Sequence, residues 1–492
     1  MDNFIRVRRS EYEALKAENI ELRSAITALQ EELKELRGRL SKDSHNSSKP
    51  PSSNGFRQVP HTRNQRKRSG KKPGGQSGHP GSTLTWNDDP DKVEIHYPEN
   101  CADCGQPFTE NDRINDDPDR DTEAAQVVDI PPAKMEYTEH QAGRCRCLSC
   151  DAVTVGKLPQ GVVDGGVQYG LRIQEYVTYM MVYQLLPYQR TVDWIVDLYG
   201  HQVSKGSLGL WQKRCYSALA PVEAAIKKQI LDSPVNHADE TGVKIFGKRY
   251  WLHVLCNRWV TFYAVHKSRG REGMEAIGVI PQFTGTLVHD GYKTYPNQTQ
   301  CEHSLCNAHH LRELTFIEEE EKHAWATDMK DLILRIKASV TRANERGTDH
   351  LEASWITRYE SEYATILKRG FEVYRRLSAA LPVPTQKKRG RPKQASGKNL
   401  LDRFLKQQDE VLAYMYNFDI PFDNNQAERD IRMAKLKQKI SGSYRSTQGA
   451  DIFCRIRSYI STLRKQGISV MDGIDSVVRG RPIMPQLCPR AG

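Results

Sequence analysis

Three β-type runs separated by two-residue breaks constrain the fold of this chain more than any other feature. The stretch VNHADETGVKIFGKRYWLHVLCNRWVTFYAVHK is rich in β-branched and aromatic residues. Its breaks at Gly247-Lys248 and Asn257-Arg258 predict strands near 235–246, 249–256 and 259–266. Connections this short join only antiparallel neighbours, so the three form a meander. Asp239 lies on the first strand, beside Glu240. GREGMEAIGVI then reads as a short helix, and GTLVHDGY as a buried strand that ends at Asp290.

A third acid comes much later, in PFDNNQAERDIRMAK. Ala427, Ile431 and Ala434 recur at helical spacing, which puts Glu428 near a helix start. Asn425 stands three residues before Glu428, the pattern of a capping box. Glu428 therefore has two readings: it caps its own helix, or it binds a metal. Three antiparallel strands, a helix, a strand with an acid and a later helix with an acid make the ribonuclease H-like order. Carboxylates gathered at such strand ends repel one another unless cations lie between them. Two Mg²⁺ ions about 4 Å apart would relieve that repulsion and clamp both oxygens of a phosphodiester displacement.

The charge balance points to nucleic acid. Lys and Arg number 72 against 61 Asp and Glu, a net +11 over 492 residues. The excess is concentrated between Lys49 and Trp86, which holds eight bases and no acid. Within it, RNQRKRSGKKPGGQSGHPG offers Arg66, Lys67, Arg68, Lys71 and Lys72, either as a solvated linker or as a strap for phosphates. The N-terminus has no apolar core of a signal peptide and no run matches a membrane span, so a cytoplasmic protein without membrane contact is expected. Its 11 cysteines are then reduced thiols or metal ligands.

The remaining segments read as a chain of modules, a multidomain α+β protein. Residues 1–42 carry a heptad, with Leu15, Leu22, Leu29 and Leu36 at d and Tyr12, Asn19, Ile26, Leu33 and Leu40 at a, which predicts a parallel coiled-coil homodimer. Residues 43–94 form a disordered basic linker. A zinc-ribbon-like module at 95–160 has Cys101-x2-Cys104 and Cys147-x2-Cys150, a set suited to one structural Zn²⁺, with Cys145 as an alternative to Cys147; QVVDIPPAKMEYTEH between them reads as strand. Residues 161–230 are helical and resemble a helix-turn-helix, whose second helix would offer Lys205 and Lys213 to DNA; a plain helical hairpin reads equally well. The catalytic core spans 231–308 and 416–475, split by a helical insertion at 309–415, with a tail at 476–492. Two further candidates lie between the second and third acids, one where the insertion begins and one within it. Cys306 and His309, at its start, have the spacing of a second zinc pair. Arg389 and Arg391, in an Arg-Gly-Arg-Pro loop, suit a narrow minor groove. Past Glu428, a basic run supplies Arg432, Lys435, Lys437, Lys439 and Arg445 for the DNA backbone.

Taken in order, the heptad, NSSKPPSS, KKPGGQSGHPG, the two CxxC knuckles, LPYQRTVDW, ADETG, HDGY, FDNNQAERDIR, KQKISGSYRS and IRSYISTLRKQG resemble the DDE transposases of bacterial insertion sequences, of the insertion-sequence-sixty-six type. The resemblance covers nearly the whole chain. It implies a Mg²⁺-dependent transposase with Asp239, Asp290 and Glu428 as the catalytic triad and a helical insertion between the second and third acids. It also implies action at the nucleoid on double-stranded DNA, both terminal inverted repeats and target, with small accessory proteins of the same element as further partners. Two rival functions fit the residues: a hydrolytic nuclease of the same core without strand transfer, and a non-catalytic DNA-binding regulator.

Overall fold

The computed structural model describes residues 8–47, 78, 81, 83–113, 124–379 and 394–486. Two units divide the chain: one is Arg63–Glu136, the other Met1–Thr62 together with Tyr137–Gly492. Arg66, Lys67, Arg68, Lys71, Lys72, Arg389 and Arg391 lie outside the described residues.

In the larger unit, helix α1 (Arg9–Ser41) is unbroken over 33 residues. Its start is fixed by the Arg8 N–H, which donates to Glu11 Oε2 at 3.2 Å. The leucine stripe faces solvent, with Leu29 64% exposed. The helix end is held differently. Lys42 Nζ lies 4.7 Å from the Phe316 ring centre, and His45 Nε2 is 3.0 Å from Glu319 Oε1. Asp43 Oδ1 accepts the His45 and Asn46 N–H groups. The first residues of the expected linker are thus a folded turn seated on the later helices.

The smaller unit contains the first cysteine knuckle. The Cys101 N–H donates to the Gln106 carbonyl and the Gly105 N–H to the Cys101 carbonyl, both at 2.9 Å. Gly105 has φ +72°, the left-handed conformation that closes the loop. The larger unit repeats the pattern at Cys147, whose N–H donates to Ala152, while the Asp151 N–H donates back to Cys147 and Asp151 takes φ +59°. Cys147 therefore occupies the knuckle position. Cys145 lies on the hairpin strand β1 (Arg144–Arg146), opposite Thr154 of β2 (Val153–Val155). The strand expected within QVVDIPPAKMEYTEH is absent: residues 124–143 have no regular element, and Pro131 and Pro132, which lack N–H donors, interrupt any ladder there.

A helical layer follows: α2 (Leu171–Thr178), α3 (Tyr188–Tyr199), α4 (Lys205–Ala218) and α5 (Ala220–Leu231). Gly200 ends α3 at φ +62°, and Ser204 caps α4 by accepting the Ser207 N–H at 3.0 Å. Helix α4 buries Leu208 and Trp211 and leaves Lys205 and Lys213 exposed.

The sheet is mixed. Strands β3 (Val235–Ile245), β4 (Lys248–Cys256) and β5 (Thr261–His266) form the meander, and α6 (Arg271–Ile277) leads to β6 (Thr286–His289) and β7 (Glu302–Leu305). Their order is β5-β4-β3-β6-β7, with β6 parallel to both β3 and β7. All four residues of β6 are buried. Helices α7 (Asn307–Phe316), α8 (Ala324–Glu345), α9 (Ala353–Ala379), α10 (Ser396–Lys406) and α11 (Gln408–Tyr416) come next. Trp325, Met329, Tyr363, Phe404 and Met415 join Val288 and Leu305 of the sheet in one apolar core, so this helical block covers the β7 edge. The chain then returns through α12 (Asn425–Ser441), α13 (Thr447–Lys465) and α14 (Val470–Val478). Helix α13 closes the other edge: Ser458 Oγ and Thr462 Oγ1 accept the outward N–H groups of Tyr263 and Thr261 at 2.9 and 3.1 Å. The protein is therefore a mixed α/β structure in which helices seal both edges of one sheet.

Candidate active site

Adjacent parallel strands bring the first two acids together. Their register runs Val235 to Thr286, Asn236 to Leu287 and His237 to Val288. Continued by two residues, it sets Asp290 opposite Asp239, just where the ladder has ended and the strands part. Each carboxylate is held by a local amide: Asp239 Oδ1 accepts the Glu240 N–H at 2.8 Å, and Asp290 Oδ1 the Tyr292 N–H at 2.9 Å. Behind them, buried Glu240 accepts from Arg269 Nε at 2.7 Å and from the Tyr295 hydroxyl at 2.5 Å. The Arg269 guanidinium lies 3.8 Å from the Tyr292 ring centre, which ties this network to the loop that carries Asp290.

The third acid arrives on α12, and Asn424 decides how. Asn424 is 1% exposed. Its Oδ1 accepts from His237 Nδ1 at 2.9 Å, its Nδ2 donates to the Ala238 carbonyl at 2.8 Å, and its N–H donates to Cys306 Sγ at 3.1 Å. One side chain therefore pins the start of α12 to β3, one residue before Asp239. Asn424, not Asn425, is the N-cap, and no side chain caps the helix. The capping-box reading of Glu428 is therefore corrected: the side chain of Asn424 is committed to β3, and Asn425 already lies inside the helix. Glu428 Oε1 is buried without a hydrogen-bond partner among the described residues. The nearest basic groups are the Arg312 guanidinium at 3.8 Å and the neutral His309 ring at 3.9 Å.

The electrostatics join the three acids. Burial raises the pKa of Asp239 well above the ordinary carboxylate range, and Glu240, Asp290 and Glu428 add to the rise. Burial also raises that of Glu428, against Arg312 and Arg432, with Asp423 and Asp290 adding to the rise. A buried carboxylate oxygen with no partner among the described residues, in the field of other acids, is donor chemistry that a divalent cation satisfies. Neighbouring acids are otherwise engaged. Burial opposes ionisation of Asp430, but Lys465 at 2.8 Å holds its pKa below the ordinary value. Asp423 accepts the Asn425 N–H at 3.1 Å.

Cys306 and His309, expected as a second zinc pair, meet Glu428: one ligand atom of each lies within 4.8 Å of the others. Burial pushes the Cys306 thiol up to about 12 and holds His309 neutral, down to about 4. At the knuckles the balance is opposite. The N–H groups of Cys104 and Asp103 lower the pKa of Cys101, and those of Ser149 and Cys150 lower that of Cys147. Thiols whose ionisation is favoured by backbone amides suit a divalent ion such as zinc.

Of the basic residues expected on DNA, Arg432, Lys435 and Lys439 are exposed on the side of α12 that carries Glu428. Arg445 is exposed just beyond it. Lys437 is placed otherwise. Nine residues on from Glu428, it falls on the opposite side of the helix, half-buried, and burial lowers its ammonium to about 8.

Comparison with known proteins places the chain in a family. The model of the Transposase IS66 family matches residues 166–452, well over half of the sequence. The chain belongs to that family. All three acids and Asn424 fall within the matched span of the Transposase IS66 family. A family of unknown function (DUF6444) matches residues 5–85, the region of α1 and the basic segment. The chain is also similar to "Uncharacterized protein y4jD" of Sinorhizobium fredii (strain NBRC 101917 / NGR234), 20% identical over 390 residues, which cover 74% of this chain and 73% of that protein. No helix among the described residues is long and apolar enough to cross a membrane.

Proposed function

We propose that this chain is a DNA transposase with a ribonuclease H-like core, in which Asp239, Asp290 and Glu428 hold two Mg²⁺ ions. The observation that carries this reading is the parallel register that sets Asp290 opposite Asp239, with Glu428 on α12 close enough to raise the pKa of Asp239 and bearing a buried oxygen that has no hydrogen-bond partner among the described residues. When bound, the ions supply Lewis acidity and offset charge on the phosphate under attack. The chain's own part is positioning. Asn424 fixes Glu428 against β3, the Arg269–Glu240–Tyr295 network fixes the Asp290 loop, and Lys435 and Arg432 neutralise the approaching backbone. Water cuts the strand at the element's end and leaves a 3′-OH. That hydroxyl then attacks a target phosphodiester, displacing one 3′-oxygen as it bonds to phosphorus. The number of phosphodiester bonds is conserved in this second step, so no protein nucleophile is needed. A labelled terminal-repeat duplex incubated with plasmid and Mg²⁺ tests the reading: covalent transfer of label to plasmid is expected, and cleavage without transfer would reduce the protein to a nuclease.

The raised acids set a pH dependence. Below the ordinary carboxylate range, the acids are protonated in folded and unfolded chains alike. As pH rises from there to the raised folded values of Asp239 and Glu428, the folded state keeps protons that the unfolded chain has lost, so these groups reduce stability across that window. Mg²⁺ or Mn²⁺ should therefore raise Tm more at about pH 8 than at about pH 5. An equal gain at both would separate cation binding from these acids.

The same proposal includes one structural Zn²⁺, a reading that rests on the sequence spacing of the pairs Cys101-x2-Cys104 and Cys147-x2-Cys150. Cys101→Ser should cost about one zinc per chain by metal analysis; native protein purified without zinc would refute the site. It also includes a homodimer through the leucine stripe of α1, and DNA contacts by Lys205 and Lys213 of α4.

A further inference from the structure

The β3–β4 hairpin ends in a turn that its sequence disfavours. Ile245 pairs with Lys248, so Phe246 and Gly247 form a two-residue loop. Both have positive φ, +50° and +73°. That is the signature of a type I′ turn, whose first position selects Asn, Asp or Gly. A phenylalanine there is strained, and it gains no burial in return: Phe246 is 69% exposed.

The tip is also braced. The Phe246 N–H donates to the Tyr444 carbonyl at 3.0 Å, and the Tyr444 N–H to the Lys244 carbonyl at 2.9 Å. Ser443 Oγ donates to the same Lys244 carbonyl at 3.1 Å. The segment that follows α12 thus clamps the tip, so the two elements that carry Asp239 and Glu428 both run to this point. Around it, Lys244, Lys248, Arg249, Lys439 and Arg445 are exposed, and no carboxylate among the described residues forms an ion pair with them. Leu436 and Ile440 are partly exposed on the adjoining helix. An exposed aromatic side chain on a braced turn, with exposed bases on the same segments, is complementary to nucleic acid, where phosphates meet the cations and a base meets the ring.

We propose that Phe246 is a wedge that unstacks a DNA base near the element's end. It stands seven residues along β3 from Asp239, roughly 23 Å at about 3.3 Å per residue, which corresponds to about seven base pairs of duplex. The inference rests on the transposase reading and adds a residue that distorts the substrate rather than reacting with it.

The test uses full-length protein and a duplex spanning the terminal repeat, with 2-aminopurine at successive positions and Ca²⁺ in place of Mg²⁺. Native protein should brighten one or two adjacent positions severalfold. Phe246→Asn restores the preferred Asn-Gly turn, so it should melt no lower than native while losing the brightening and binding about tenfold more weakly. Phe246→Trp should retain both. Undiminished brightening in Phe246→Asn would overturn the wedge. So would a smaller light-scattering mass for that variant with its fluorescence intact, which would make the tip a contact between copies. Cleavage by native protein with no brightened position sinks the wedge alone, whereas no DNA binding by native protein sinks the transposase reading with it.

Discussion

Glu428→Gln is expected to melt at or above the native temperature and to lose strand cleavage by roughly 10³-fold or more. Stability should hold because Glu428 caps nothing: its Oε1 has no hydrogen-bond partner among the described residues, and burial disfavours its charge. The amide keeps the volume and removes that penalty. Cleavage should collapse because Mg²⁺ is a hard cation that selects carboxylate oxygen, and a neutral amide leaves the phosphate's charge uncompensated. Asp239→Asn and Asp290→Asn should behave alike, and pairing either with Glu428→Gln should cost little more, since the three act as one unit. Melting curves beside a Mg²⁺-dependent cleavage assay make the comparison. Near-native cleavage by Glu428→Gln would remove it from the triad. Asp430 is no substitute, being engaged by Lys465 and Thr261.

Asn424→Ala should have the opposite profile, losing stability and activity together. The substitution leaves the Ala238 carbonyl and the His237 ring without their partners in a site that is 1% exposed. Unsatisfied buried groups of this kind cost about 2–4 kcal/mol, a fall in Tm of roughly 5–10 °C. Without the pin, α12 is free to shift against β3, and Glu428 moves with it. Cleavage should then drop even at temperatures where the variant is fully folded. A variant that melts low but cleaves normally when folded would show that Asn424 serves stability only.

The meander, the acid-tipped strand and the long first helix were legible in the sequence because each is a local pattern. Alternating β-branched residues and two-residue breaks placed strands near 235–246, 249–256 and 259–266, and they lie at Val235–Ile245, Lys248–Cys256 and Thr261–His266. The outermost parallel strand, beside β6, was less visible. Strand β7 is four residues with only its end buried, too short for a periodicity to register. The turn was misplaced by one residue, at Gly247-Lys248 instead of Phe246-Gly247, because phenylalanine carries no turn signal. The family resemblance located the candidate acids along the chain without saying what holds them. Asn424 had no signal at all: in the sequence it is one of two asparagines before a helix, and its neighbour matched a capping box better.

The sequence by itself determined the meander, the strand that ends at Asp290 and the long first helix, where the acids and cysteines stand, and that the chain is a transposase relative, since periodicity and motif order are properties of the chain read in line. Tertiary structure alone decided what each polar side chain is for. Asn424 meets Ala238 across more than 180 intervening residues, and Asp430 meets Lys465 on another helix. A hydrogen bond or an ion pair is made by distance in space, and only the folded sheet, with its edges sealed by α11 and α13, brings those groups within reach.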